Sequence, residues 1–148
     1  MTITEYSQYS AQEREFLDRL GRLYVVLGLN LNCESFEYLM EASVLLFKQT
    51  LGKQGFELEP VYEQVADKYK KKPEEIQEGI SRLIHDAYEN ADEELRPLIY
   101  ILSSRKLSDD GFLSNTIIFM VMKALIDTRE KEMYCGERTY KDASKFTN

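Results

Sequence analysis

Apolar residues recur at intervals of three and four along most of the chain, and no run alternates apolar and polar positions long enough to read as a strand. Phe16, Leu17, Leu20, Leu23, Tyr24 and Leu27 form the first stripe. Ser10 followed by Glu13 is a capping-box pattern that predicts a helix start, and Gly28 fits just past its end. A second helix is predicted from a cap at Asn32 to Gly52, with Phe36, Leu39, Met40, Ser43, Val44 and Phe47 on its apolar face. The stretch 52–55 reads as a loop. Val61, Tyr62, Val65, Ala66 and Tyr69 mark a third, short helix over about 59–69. Lys70, Lys71 and Lys72 then precede Pro73, which suits the first turn of a fourth helix and pushes Lys72 out of the helical region. That helix is predicted over 73–89, burying Ile76, Ile80, Leu83, Ile84 and Ala87. Asn90 or Asp92 breaks it, and a fifth helix is expected over 93–102. Residues 103–111 read as a loop, with Asp109, Asp110 and Gly111 as turn residues. A sixth helix, capped by Ser114 or Asn115, is expected to run to about 128. It is apolar nearly all round, as a central or interface helix is.

The pattern predicts a compact all-α domain of six helices over 10–130, after a flexible leader (1–9) and before a polar tail (131–148). At 148 residues and 43% apolar composition the chain has enough material to bury a full core. A formal net charge of -7 argues mildly against non-specific grip on nucleic acid. Cys33 and Cys135 sit far apart and outside any metal-ligand spacing, which suggests a reducing compartment. The N-terminal MTITEYSQYS lacks the apolar stretch of a signal peptide. The most apolar run, 117–126, is shorter than a bilayer span and contains Lys123. A cytoplasmic location is expected, with no membrane association.

The short helix at 59–69, its three-residue connection and the helix at 73–89 fit a helix-turn-helix. The segment VYEQVADKYKKKPEEIQEGISRLIHDAY resembles the helix-turn-helix of the sporulation-initiation response regulator family, in its C-terminal effector domain. The resemblance is carried by Tyr62, Val65, Ala66, Lys68 and Tyr69, then Pro73, Ile76, Ile80, Ala87 and Tyr88. It extends to LGLNLNCESFEYLMEA through Leu27, Gly28, Tyr38, Leu39 and Ala42, and to SNTIIFMVMKAL through Asn115, Val121 and Leu125. It implies a six-helix domain whose 73–88 helix enters the DNA major groove. The chain departs from that family in two ways. A receiver domain is not expected ahead of the helices, and Glu74, Glu75, Glu78 and Ser81 stand where the family carries polar and basic residues.

Two functions follow as expectations. In the first, the chain is a stand-alone helix-turn-helix regulator. Lys70, Lys71, Lys72 and Arg82 then hold phosphates, while Glu74, Glu75, Gln77, Glu78 and Ser81 line the exposed side of the recognition helix. In the second, the same acidic helix binds a protein, as an inhibitor, adaptor or DNA mimic. Glu74 and Glu75 also have a plain explanation, since acids in a first turn oppose the helix dipole. A lysine triplet before a helix is most often a solvated turn. His85 is the lone histidine, and no nucleophile triad, Walker loop or GxGxxG is present, so neither an enzyme nor a cofactor or metal is expected. Tyr38, Tyr62 and Tyr69 fall on core stripes; Tyr6, Tyr9, Tyr134 and Tyr140 lie near the ends. A homodimer through the sixth helix is the sharper alternative to a central packing role.

Overall fold

The computed structural model describes residues 6–52 and 57–135, with side chains to 133. Among them are six α-helices and no strand: α1 (Ala11–Val26), α2 (Glu34–Leu51), α3 (Leu58–Tyr69), α4 (Pro73–Asn90), α5 (Arg96–Leu102) and α6 (Asp109–Cys135). The protein is a compact all-α domain. Its hub is α4, which packs against α2, α3, α5 and α6. Ile76, Ile80, Leu83, Ile84 and Ala87 form the buried side of α4, as their spacing predicts. They meet Leu39 and Leu46 of α2, Tyr62 of α3, Ile99 of α5, and Phe112, Leu113 and Ile117 of α6 in one core. Each large aliphatic or aromatic side chain buried there stabilises the fold by about 1.5–3 kcal/mol.

The stop and start signals act through backbone groups. Ser10 Oγ accepts the Glu13 N–H, and Glu13 Oε1 accepts the Ser10 N–H, closing the capping box. Gly28 takes φ +81°, and the N–H groups of Gly28 and Leu29 return to the carbonyls of Val25 and Tyr24, ending α1 in a Schellman turn. Two aromatic contacts fasten α1. Phe16 stacks on Phe47 of α2 at 4.0 Å, and Tyr24 stacks on Phe112 of α6 at 5.6 Å. The Tyr24 hydroxyl is buried 3.2 Å from Ser43 Oγ, and burial pushes its pKa up to about 12. From the leader, the Tyr6 hydroxyl donates to Asp18, and Tyr9 packs against the core.

Four expectations are corrected. Asn32 does not cap α2; the N-cap is Cys33, whose thiol makes no capping bond and donates instead to the Asn30 carbonyl, while the Asn30 side chain accepts the Asn32 N–H in a local turn. The fifth helix starts at Arg96 rather than 93, since Asp92 Oδ1 accepts from the N–H groups of Glu94 and Leu95 and holds 93–95 as a turn. Asp109, Asp110 and Gly111 are not a loop but the first turn of α6. Ser108 caps that turn, its carbonyl accepting from Phe112 and its Oγ from Gly111. Asn115 and Ser114 accordingly sit inside α6, where Asn115 Nδ2 binds the Leu102 carbonyl at 2.7 Å and Ser104 Oγ at 3.0 Å. Those bonds steady a connection in which Ser104, Arg105 and Leu107 all have positive φ. Of the loop expected at 52–55, residues 53–55 lie outside the described residues; Gly52 ends α2.

The helix α6 continues past 128, and past the boundary at 130, to Cys135. By length and composition it is long and apolar enough to cross a membrane. One of its sides, however, supplies the fully buried Phe112, Leu113, Thr116 and Ile117, so it is part of the domain core.

Candidate functional site

The lysine triplet lies between α3 and α4 as the sequence predicts, and the local geometry explains its form. The N–H groups of Lys70 and Lys71 return to the carbonyls of Asp67 and Ala66, the Schellman pattern that usually needs glycine. Here Lys70 fills the left-handed position, at φ 56° and ψ 47°. A non-glycine residue there costs about 1 kcal/mol. Lys72 is extended, at φ -86° and ψ 149°, as a residue before proline should be, and Pro73 opens α4. Lys70, Lys71 and Lys72 are all exposed. They precede the N-terminus of α4, whose dipole favours an anion; Pro73 has no N–H to offer there, and the N–H groups of Glu75 and Ile76 return to the Lys72 carbonyl.

The six expected site residues on α4 separate. Glu74, Glu78 and Arg82 are exposed and follow one another at intervals of four, so they form a single outward stripe, with Asp86 next along it. Glu75 is exposed, but its carboxylate is engaged, accepting the Lys72 N–H at 3.1 Å. Gln77 is half-buried. Ser81 is half-buried as well and donates to Asp109 Oδ1 at 3.1 Å, so its hydroxyl serves the α4–α6 contact rather than the outward face. His85 is exposed on the same helix.

The sequence reading missed an acidic corner beside the lysines. Gly79 brings α4 close to Ser35 and Tyr38 at the start of α2, a Cβ at Gly79 falling 2.7 Å from Ser35 Oγ. This sets Glu34 and Glu37 near Glu75. The Tyr38 hydroxyl donates to Glu34 at 2.6 Å, and its ring meets Tyr69 edge-on at 5.0 Å. The Tyr38 phenol is pushed well above its usual range, first by burial, then by the bond to Glu34 and the charges of Glu34, Glu75 and Glu37. The signal was present in Glu34 and Glu37, but only the packing of α2 on α4 brings them to this corner.

Two further polar groupings lie within the helix contacts. Lys68 of α3 pairs closely with Glu41, a buried carboxylate on α2, so its charge is directed inward. The Tyr62 hydroxyl, on α3, donates to the Asp109 and Asp110 carboxylates at the start of α6. Burial first, then the bond to Asp109 and the charges of both aspartates, keeps that phenol neutral far above its ordinary range. Burial, then the hydrogen bond and charge of Asp109, raises the Asp110 carboxyl, while the Tyr62 hydroxyl opposes the shift. No three His, Cys, Asp or Glu side chains among the described residues form a metal-binding group. The Tyr134 side chain and Tyr140 lie outside the described residues.

Comparison with protein-family models, curated proteins and solved structures finds no match. The functional reading therefore stands on the residues of the α3–α4 face and on the resemblance carried by the sequence.

Proposed function

We propose that the protein is a helix-turn-helix regulator that takes duplex DNA on its α3–α4 face. The observation that carries this reading is the exposed Lys70–Lys71–Lys72 turn at the N-terminus of α4. Three exposed cations beside the positive end of a helix dipole suit a phosphate there. That Lys70 holds a conformation glycine would take more cheaply fits a residue kept for its charge. Arg82, two turns further along the outward stripe, is a fourth cation for the backbone. The resemblance to the sporulation effector domain supports the same assignment and makes α4 the recognition helix.

Glu74 and Glu78 shape the interaction. A carboxylate repels phosphate and accepts from bases only at cytosine N4 or adenine N6. The grip is therefore weak on arbitrary sequence, and any selectivity favours those two donors. Replacing Lys70, Lys71 and Lys72 by glutamine lowers the slope of log affinity against log salt by about 2–3, if each lysine holds one phosphate. An unchanged slope would count against the assignment.

A second reading is favoured by one observation, the acidic corner of Glu34, Glu37 and Glu75 beside Glu74 and Glu78. In it the face presents carboxylates to a basic protein surface, as an inhibitor, an adaptor or a mimic of DNA would. Charge reversal at Glu74 and Glu78 separates the two: it strengthens DNA binding in the first reading and abolishes capture of a basic partner in the second.

A further inference from the structure

The side of α6 turned away from the core is largely apolar and exposed among the described residues. Ile118, Phe119, Met122, Leu125, Ile126 and Met133 are each 48% to 60% exposed, while Ile117 and Met120 between them are buried. Phe119, Met122 and Ile126 follow one another at three and four residues, with Ile118 and Leu125 alongside, which is the spacing of a helix-pairing seam, and exposed Arg129 holds the next seam position before Met133. We infer that this face is an interface between two copies of the chain, paired through antiparallel α6 helices about a two-fold axis near Met122.

Two observations select a second copy as the occupant. The seam is self-complementary, because an antiparallel partner centred on Met122 sets Phe119 against Leu125 and Ile118 against Ile126 in both directions, as a two-fold interface requires. Its size also fits. Six such side chains, each about half exposed, offer roughly 600 Å² a side, and a stable interface needs about 800 Å². Exposed Leu98 and Ile101 of α5 make up the difference. The Asn115 Nδ2 bond to the Leu102 carbonyl fixes the end of α5 beside α6, one turn before Ile118 and Phe119.

A bilayer surface fits less well. The described end of the helix carries Arg129, Glu130, Lys131 and Glu132, mixed in sign, where an interfacial helix is rich in lysine and arginine.

The pairing is independent of what the α3–α4 face binds. Sedimentation equilibrium of the full chain across the micromolar range tests it, with Met122→Glu as the first variant. Met122 is 56% exposed, so the substitution leaves the core intact, and an unchanged far-UV circular dichroism spectrum verifies this. The expected result is a two-copy mass that dissociates on dilution, with Met122→Glu weakening association by roughly a hundredfold or more because two carboxylates meet at the axis. A monomer at every concentration overturns the inference. So does a dimer that Met122→Glu leaves intact, or a monomer that binds anionic vesicles through this face.

Discussion

Among the described residues, three glycines lie within helices in three different surroundings, so one substitution repeated at each tests the packing that frames the site. A Cβ at Gly111 would fall 2.7 Å from the Ser103 carbonyl oxygen, 2.8 Å from Ser104 Oγ and 2.9 Å from the Ser103 carbonyl carbon. Two of these are backbone atoms in a connection with three positive-φ residues, held by Asn115, so they cannot turn aside. Overpacking of that kind costs about 1–3 kcal/mol. The better helix propensity of alanine returns at most about 1 kcal/mol, leaving a net loss of about 1–2 kcal/mol for Gly111→Ala.

At Gly79 the nearest atom is also 2.7 Å away, but it is Ser35 Oγ, a hydroxyl that can rotate, and the Tyr38 ring follows at 3.3 Å. Gly79→Ala should therefore leave stability within about 0.5 kcal/mol of the parent, clash and propensity nearly cancelling. Nothing lies within 4 Å of a Cβ at Gly21, so Gly21→Ala should stabilise by about 0.5–1 kcal/mol. Urea unfolding followed by circular dichroism reads all three as midpoint shifts at constant slope. The expected order of stability is Gly21→Ala, then Gly79→Ala, then Gly111→Ala. A Gly111→Ala variant as stable as Gly21→Ala would refute the close approach of the 103–108 connection to α6.

Three other expectations follow from buried polar groups. Tyr24 is fully buried with its pKa raised to about 12, so the stability it contributes is complete below its ordinary value of 10.0 and is lost as pH rises through 12. Two units correspond to roughly 2–3 kcal/mol, and Tyr24→Phe should flatten the alkaline unfolding curve over that window. The Asp110 carboxyl titrates above its ordinary 3.8, so the fold favours its protonated form, and that contribution fades as pH rises through the raised value. Asp110→Asn should remove this fall, measured as urea midpoints from acid to neutral pH. Lys68→Ala leaves the buried Glu41 carboxylate without its cation. With Lys68 itself partly exposed the cost should be about 1–2 kcal/mol, and a Glu41→Met, Lys68→Met double variant should recover much of it in the same unfolding assay.

Local chemistry made much of this fold legible. Ser10 with Glu13, Gly28 after a periodic stripe, and Lys72 before Pro73 each specify a backbone geometry within a few residues, and each is formed as expected. The start of α6 was not legible. Asp109, Asp110 and Gly111 have the composition of a turn, and what makes them helical is the Ser108 cap together with the contacts Tyr62, Ser81 and Ser103 make across helices.

The same division runs through the candidate site. The lysine turn and the outward Glu74 and Glu78 could be read from spacing. Ser81 turned inward, Glu75 engaged by the backbone, and Glu34 with Glu37 joining the corner all depend on how α2 and α6 pack on α4. The apolar sixth helix was read as central or an interface. Its core side is buried in the domain, and its exposed side is the ground of the pairing proposal.

The central claim is that the α3–α4 face holds duplex DNA. Fluorescence anisotropy of a labelled generic duplex, titrated with the protein at low and at moderate salt, tests it most directly. The account predicts saturable binding in roughly the micromolar range that weakens steeply with salt, as phosphate contacts require. No binding even at low salt would contradict it and leave the acidic corner, with a basic protein as partner, as the explanation of the face.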